Sequence, residues 1–261
     1  MKILDGKKIA DEKIKALKEK IKSLSQKPTL AVILVGNDNS SKIYVNMKEK
    51  KARELGLDFK KFVFGEAVMQ EKIVYLIKRL NKDKNIQGIL IQLPLSEHLN
   101  TARIIKNILP EKDVDGLRKD SLFTPPTIQS VIDLLQIGLL EVKHLNAEKN
   151  FSVTIFSGKH FRKKLLKALN KIFGHLVSES KNSKDADVVI IAKGKAGFLK
   201  ADMIKKGAII IDVGINKTNT GKIVGDVDND ARKKAGFLTP VPGGVGPLTI
   251  FNIFKNLIDN K

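Results

Sequence analysis

One helical turn separates Tyr44 from Lys48 in Ser41-Lys42-Ile43-Tyr44-Val45-Asn46-Met47-Lys48, so on a helix the phenol and the amine share a face. A phenol beside an amine can hydrogen-bond it, and a lysine in a partly dry cleft has its pKa lowered enough to move protons near neutral pH. A solvated lysine and a boundary tyrosine give the same pattern, and Lys50 and Lys51 show how common lysine is here. A neutral amide, Gln92, ends the apolar run Gly88-Ile89-Leu90-Ile91 ahead of Leu93-Pro94-Leu95, where it can contact a ligand or hold a lysine. Lys112-Asp113-Val114-Asp115-Gly116 sets two carboxylates two apart before a glycine turn. That pair suits a metal or other cation, or the amino and ring N–H donors of a heterocycle, and an Asx turn explains it equally well. The most specific feature is Thr239-Pro240-Val241-Pro242-Gly243-Gly244-Val245-Gly246-Pro247-Leu248-Thr249, which leads straight into the last helical pattern. Its glycines permit close backbone approach to a ligand, its prolines stiffen the loop, and a helix N-terminus behind them favours acceptors.

These residues need elements to hold them. An amphipathic stripe over 8–24 (Ile9, Ile14, Ala16, Leu17, Ile21) predicts a helix. Leu30 to Gly36 reads as a buried parallel strand, Ser40 to Leu55 as a helix closed by Gly56, and 59–64 as a strand. Residues 69–81 read as a helix and 88–93 as another buried strand. After the Pro-rich turn at 123–127 comes a helix over 127–142, then strands at 152–156, 187–192 and 208–214 and a terminal helix at 248–258 that could pack back on the first domain. Alternating strands and helices predict parallel sheets with right-handed crossovers and ligands at the strand C-termini.

The 261 residues suit two domains better than one. No apolar run is long enough to span a bilayer, and the N-terminus lacks the pattern of a signal peptide. With no cysteine there is no disulfide framework, no thiolate nucleophile and no Cys-ligated metal, and the four histidines show no ligand spacing. A cytoplasmic location is the default, with no membrane partner and no metal. The formal charge of +20 invites a nucleic-acid reading. Against it, lysine outnumbers arginine 42 to 6, the lysines are dispersed, and the 14 aromatics form no stacking platform, so no nucleic acid is expected. Positive potential also steers an anionic substrate.

Taken together, Ser41-x-x-Tyr44-Val45-x-x-Lys48 with Gly56, Gln92-Leu93-Pro94-Leu95, Lys112 to Gly116, Asp212-Val213-Gly214-Ile215-Asn216, Gly225-Asp226-Val227 and Thr239 to Thr249 resemble the bifunctional methylenetetrahydrofolate dehydrogenase/methenyltetrahydrofolate cyclohydrolase family in order and spacing. The resemblance runs over nearly the whole chain. It implies an α/β protein of two domains with a cleft between them. An N-terminal three-layer catalytic domain takes 1–122 with the terminal helix 246–261, and a Rossmann-like NADP-binding domain takes 123–245. It implies oxidation of 5,10-methylenetetrahydrofolate with NADP and hydrolysis of the methenyl product to 10-formyltetrahydrofolate, which feeds purine biosynthesis, in a homodimer. Lys48 would be the catalytic lysine of the hydrolysis, positioning or activating water, with Tyr44 and Gln92 tuning and orienting it. Asp115 would bind the pterin, with Tyr44, Gly243, Gly244 and Pro247 around the folate. Ser157, Gly158, Lys159, Ser180 and Ile215 would contact the dinucleotide.

The cofactor segment departs from the family's pattern. Where the family has Gly-Arg-Ser and then Val-Gly-x-Pro, this chain has Phe156-Ser157-Gly158-Lys159-His160-Phe161-Arg162-Lys163-Lys164. Where the family has His-Ser-x-Thr, it has Glu179-Ser180-Lys181-Asn182, with the following helix shortened. Glu179 would repel a 2′-phosphate, while Lys159, Ser180 and Lys181 could still hold one. Pro125-Pro126-Thr127-Ile128-Gln129-Ser130 also replaces the family's Pro-Cys-Thr-Pro-x-Gly. Two alternatives therefore stand beside the two-activity enzyme: a cyclohydrolase with a degenerate dinucleotide site, and a non-catalytic folate- or nucleic-acid-binding protein.

Overall fold

The structure, a computed structural model, describes residues 1–142 and 150–260. Along the chain run β1 (Lys2–Ile3), α1 (Gly6–Lys22), β2 (Thr29–Val35), α2 (Asn39–Leu55), β3 (Asp58–Phe64), α3 (Gln70–Lys82), β4 (Ile86–Ile91), α4 (Thr101–Lys106) and α5 (Pro126–Glu141). There follow β5 (Phe151–Ser157), α6 (Lys159–Phe173), β6 (Val177–Glu179), β7 (Val188–Ala192), β8 (Ile209–Asp212), β9 (Asn216–Lys217), β10 (Ile223–Val224), α7 (Asn229–Lys234), β11 (Phe237–Leu238) and α8 (Val245–Asp259). The expected strands and helices are present with boundaries shifted by a few residues. The helices α4, α6 and α7 and the short strands β1, β6, β9, β10 and β11 come in addition.

The chain divides into two compact units, one of Lys13–Pro126 with the chain from Ile250 on, the other of Met1–Glu12 with Thr127–Thr249. The first, the three-strand unit, carries a parallel sheet in the order β3-β2-β4. All seven residues of the central strand β2 are buried, as a strand covered on both faces requires. One core layer joins Ala31, Ile33 and Val35 of β2 and Ile86, Ile89 and Ile91 of β4 to Ile73, Ile77 and Leu80 of α3 and Ile104 of α4. The last helix packs in this unit too, as its apolar pattern suggested. Gly88 of β4 leaves room for Leu257, where a Cβ would come within 2.7 Å of its Cδ1, and Asn256 Nδ2 donates to Val114 O at 2.9 Å.

The six-strand unit holds a parallel sheet in the order β1-β11-β8-β7-β5-β6 and a separate β9–β10 hairpin. Residues 1–12 cluster with this unit, whereas the expected catalytic domain of 1–122 began at residue 1. The cause is strand pairing, since Lys2 and Ile3 align with Phe237 and Leu238. Lys7 N also donates to Gly243 O at 2.8 Å. The other divisions fall at 126/127 and 249/250, a few residues past the expected 122/123 and 245/246.

Among the described residues no helix joins β6 to β7. Register explains how turns suffice: Glu179, the last residue of β6, and Val188, the first of β7, both lie level with Val153 on opposite sides of β5. The chain has only to cross β5, not to travel back along it.

Candidate active site

Helix α2 is bounded by local chemistry. Asp38 accepts from Ser41 N at 2.6 Å as the N-cap, and Gly56 ends the helix in the left-handed region at φ 68°. Between these caps the helix buries Ser41, Val45, Lys48, Ala52 and Leu55. Lys48 is thus the charged member of an otherwise uncharged buried stripe, only 7% exposed. Its Nζ donates to Gln92 Oε1 at 2.7 Å, and Gln92 Nε2 donates to Leu93 O at 2.7 Å. The amide is therefore fixed at both ends, with its oxygen aimed at the amine. Gln92 sits just past β4, anchored by its own N–H on Ile33 O at 2.9 Å. The Tyr44 contact runs through the ring, whose centroid lies 5.9 Å from Lys48 Nζ, at the outer range of a cation–π interaction.

Burial pushes the Lys48 amine below the ordinary lysine range, and the Asp115 carboxylate partly opposes that by favouring the ammonium. Burial also pushes the Tyr44 phenol up, which keeps it protonated. The Lys48 amine is thus set between two opposing influences, burial favouring its neutral form and the Asp115 charge its ammonium form.

Asp115 is delivered by a loop with firm anchors. Lys112 Nζ donates to the carbonyls of Leu80, Asn81 and Asp83 at 2.8–2.9 Å, capping the C-terminal turn of α3. The buried Asp113 accepts from Leu117 N at 3.2 Å and Arg118 N at 2.8 Å, which is the Asx-type chemistry the spacing allowed. The two carboxylates thus divide their work. Asp113 shapes the loop, and the half-buried Asp115 carries the charge felt by Lys48. Among the described residues no group of three or more His, Cys, Asp or Glu is placed to hold a metal ion.

In the six-strand unit, β5 lies between β6, which follows it in sequence, and β7, which comes next. The strand order reverses there, and open α/β sheets take ligands outside the strand C-termini at such a point. Ser157 ends β5, Gly158 alone intervenes, and α6 starts at Lys159 without an acid in its first turn or a side-chain cap. Ser157 Oγ donates to Gly158 O at 3.3 Å. Ser180 is held in a turn, accepting from Asn182 N at 3.2 Å and donating to Asn182 O at 2.9 Å. The structure brings Ser157, Gly158 and Lys159 together, puts Ser180 just past the neighbouring strand, and sets Ile215 beyond β8, two strands away from β5. Glu179 is not the bare negative charge expected from sequence. Arg162 in the first turn of α6 meets it, Nε at 2.8 Å and a terminal nitrogen at 2.5 Å from the same carboxylate oxygen.

Two further carboxylates organise this unit. Asp226, fully buried, accepts from the backbone N–H groups of Lys193 (2.6 Å), Gly194 (3.0 Å) and Lys195 (2.8 Å) and from Asn216 Nδ2 (2.8 Å). It thereby fixes the loop after β7. Asp212, also buried, accepts from Gly214 N, Asp226 N and Val227 N at 2.9–3.1 Å. Burial pushes Asp212 up to about 6, against the pull of those three bonds. The two motifs interlock: a Cβ on Gly214 would strike the Asp226 carboxylate, and one on Gly225 would strike that of Asp212. The sequence signal was present as a glycine within two residues of each aspartate, but it carried no hint of the pairing.

Backbone packing accounts for much of the glycine loop. Gly243 takes φ 107°, and a Cβ on Gly244 would come within 2.5 Å of Pro240 O. Pro247 stands in the first turn of α8, where its missing N–H costs nothing.

The catalytic-domain model of the tetrahydrofolate dehydrogenase/cyclohydrolase family matches residues 4–115, and the NAD(P)-binding-domain model of that family matches residues 161–261. A "Bifunctional protein FolD" of Helicobacter pylori is 40% identical over 280 aligned residues, covering 98% of this chain and 94% of the relative. The bifunctional enzyme FolD of Campylobacter jejuni, methylenetetrahydrofolate dehydrogenase/cyclohydrolase, superposes with a TM-score of 0.88 at 35% identity, covering 100% of this chain and 98% of that one. The methylenetetrahydrofolate dehydrogenase-cyclohydrolase of Trypanosoma brucei, solved with NADP and an inhibitor, gives 0.86 at 28% identity, covering 98% and 95%. With a match to the NAD(P)-binding domain over 161–261, the expectation of a degenerate dinucleotide site finds no support, and neither non-dehydrogenase alternative is favoured.

Proposed function

The chain belongs to the tetrahydrofolate dehydrogenase/cyclohydrolase family, and from that premise we propose how its residues share the work. The protein is an enzyme of two activities, methylenetetrahydrofolate dehydrogenase and methenyltetrahydrofolate cyclohydrolase. NADP is the hydride acceptor in our reading, and the observation that carries the assignment of catalysis is the buried Lys48 amine held on Gln92.

In the hydrolysis, water adds to the methenyl carbon and loses one proton, and cleavage of the bond to N5, with the remaining hydroxyl proton passing to N5, leaves 10-formyltetrahydrofolate. Lys48 holds the water and takes its proton. Its lowered pKa makes the neutral amine available, and Gln92 keeps it aimed. Tyr44 stays a protonated phenol beside the amine and contacts the substrate. Asp115 accepts from the N–H donors of the pterin and tunes Lys48 by its charge. Gly243, Gly244 and Pro247 are assigned to the folate as well, on the resemblance of their loop.

In the oxidation, the methylene carbon gives up a hydride, and NADP supplies the acceptor for it. The donor set after β5 suits the anionic dinucleotide: the Ser157 hydroxyl, the backbone N–H groups at the start of α6, and the exposed Lys159. Ser180 and Ile215 complete the assigned contacts. The enzyme's role here is to bind and orient both reactants.

Absorbance-monitored turnover tests the assignment. Purified protein consumes methenyltetrahydrofolate and, separately, reduces NADP with methylenetetrahydrofolate. Loss of the first activity in Lys48→Met is expected, and an unchanged rate would overturn the role of Lys48. We also place the enzyme in the cytoplasm as a homodimer supplying formyl groups for purine biosynthesis. Sedimentation at twice 28.9 kDa would support the dimer.

A further inference from the structure

The Arg162–Glu179 ion pair lies where an α/β dinucleotide domain decides between a 2′-hydroxyl and a 2′-phosphate. In such domains an acid about 20 residues after the glycine turn, at the end of the second strand, takes the ribose 2′-hydroxyl, while an arginine nearby accommodates the 2′-phosphate. This chain has both groups. Glu179 ends β6, the strand that follows β5 in sequence and flanks it in the sheet, and it comes 21 residues after Gly158. Arg162 projects from the first turn of α6 and is bound to it at 2.5–2.8 Å. Both side chains are partly open to solvent, at 47% and 30% exposure, so either can change partners.

Resting on the dehydrogenase reading above, we propose that this pair is the coenzyme selector and that it makes the enzyme a user of both NADP and NAD. With NADP, the 2′-phosphate takes the Arg162 guanidinium in place of Glu179, a bidentate exchange of one anion for another. With NAD, the pair stays closed and the spare Glu179 oxygen accepts the ribose 2′-hydroxyl. Each partner thus moderates the other: Arg162 cancels the repulsion that Glu179 alone would exert on a phosphate, and Glu179 competes for the cation that NADP needs. Lys159 and Lys181, also exposed, supply positive potential for either coenzyme but no acid with which to discriminate.

Direct binding decides the matter without turnover. Calorimetric titration of the full chain with NADP and with NAD gives a ratio of dissociation constants. Arg162→Met should weaken NADP roughly tenfold and leave NAD within about twofold, and Glu179→Gln should shift the ratio roughly tenfold toward NADP. Far-ultraviolet circular dichroism and unchanged methenyltetrahydrofolate hydrolysis establish that both variants are folded. A ratio that moves by less than about twofold in both variants overturns the selector, while dinucleotide binding by the wild type leaves the dehydrogenase reading standing. Failure of the wild type to bind either coenzyme overturns both.

Discussion

The Lys48 region and the turn after β5 hold polar groups in opposite ways. Lys48 is buried, its partner Gln92 is itself tied down, and the charge of the half-buried Asp115 favours the ammonium form of Lys48. Ser157 and Lys159 are more open, and Ser157 is satisfied by the neighbouring carbonyl of Gly158. A group that must change protonation during a reaction gains from a fixed, desolvated setting, whereas a site that only binds phosphates can rely on backbone N–H groups that every residue possesses. The first kind of site depends on its side chains throughout, whereas phosphate binding at the second rests mainly on the backbone.

Lys48→Met tests that contrast most severely. Hydrolysis of methenyltetrahydrofolate should fall by about 10²–10⁴-fold, the range of a lost general base. The same variant should be more stable at neutral pH. Because the folded-state pKa of Lys48 lies below 10.5, its contribution to stability is present above 10.5 and lost as pH falls through the lowered value. At neutral pH the buried amine is therefore a cost, and removing it should add about 0.5–2 kcal/mol by chemical denaturation. A variant that is both inactive and less stable would show that Lys48 supports the fold instead.

Gln92→Leu should lower the hydrolysis rate by about 10–100-fold with little change in KM, because the amine loses its aim and not its substrate contacts. A KM effect alone would make Gln92 a binding group. Asp115→Asn sharpens the electrostatic half of the comparison. Without the carboxylate, the Lys48 pKa should drop further, so the alkaline rise of the hydrolysis rate moves to lower pH. A rise left in place would mean that Asp115 does not act on Lys48.

Asp212 offers a buried charge of structural kind for contrast. Its folded pKa of about 6 exceeds the ordinary 3.8, so the stability it contributes is complete below 3.8 and lost as pH rises through 6. The stability difference between wild type and Asp212→Asn should shrink by up to about 3 kcal/mol over that window. A constant difference would mean that the three backbone N–H bonds cancel the effect of burial. Smallest of all, Ser157→Ala and Lys159→Ala should each change dinucleotide affinity by less than about fivefold, since the N–H groups of α6 stay in place.

The elements that carry the site were legible from local pattern. The apolar run 30–36 and the closing Gly56 specify β2 and the end of α2 by burial and backbone conformation alone, which neighbouring residues decide. Helical spacing put Tyr44 and Lys48 on one face, and the family resemblance joined them to Gln92 and Asp115, although the phenol–amine contact proved to run through the ring. The short strands escaped notice because two or three residues have no periodicity to detect. Pairing of Lys2 and Ile3 with residues 237 and 238 joins positions over 230 apart, and it moved the first twelve residues into the other unit.

The sequence by itself determined the α/β class, the parallel sheets and the residues able to do proton chemistry, because periodicity and side-chain type are local properties. Only the tertiary structure decided the state of the charges. That Lys48 is buried and held by Gln92, that Asp226 gathers four donors from the loop after β7 and from β9, and that Arg162 answers Glu179 all depend on which segments meet. An ionisable group takes its pKa and its partners from surroundings assembled across the chain, and no reading of its neighbours in sequence can supply them.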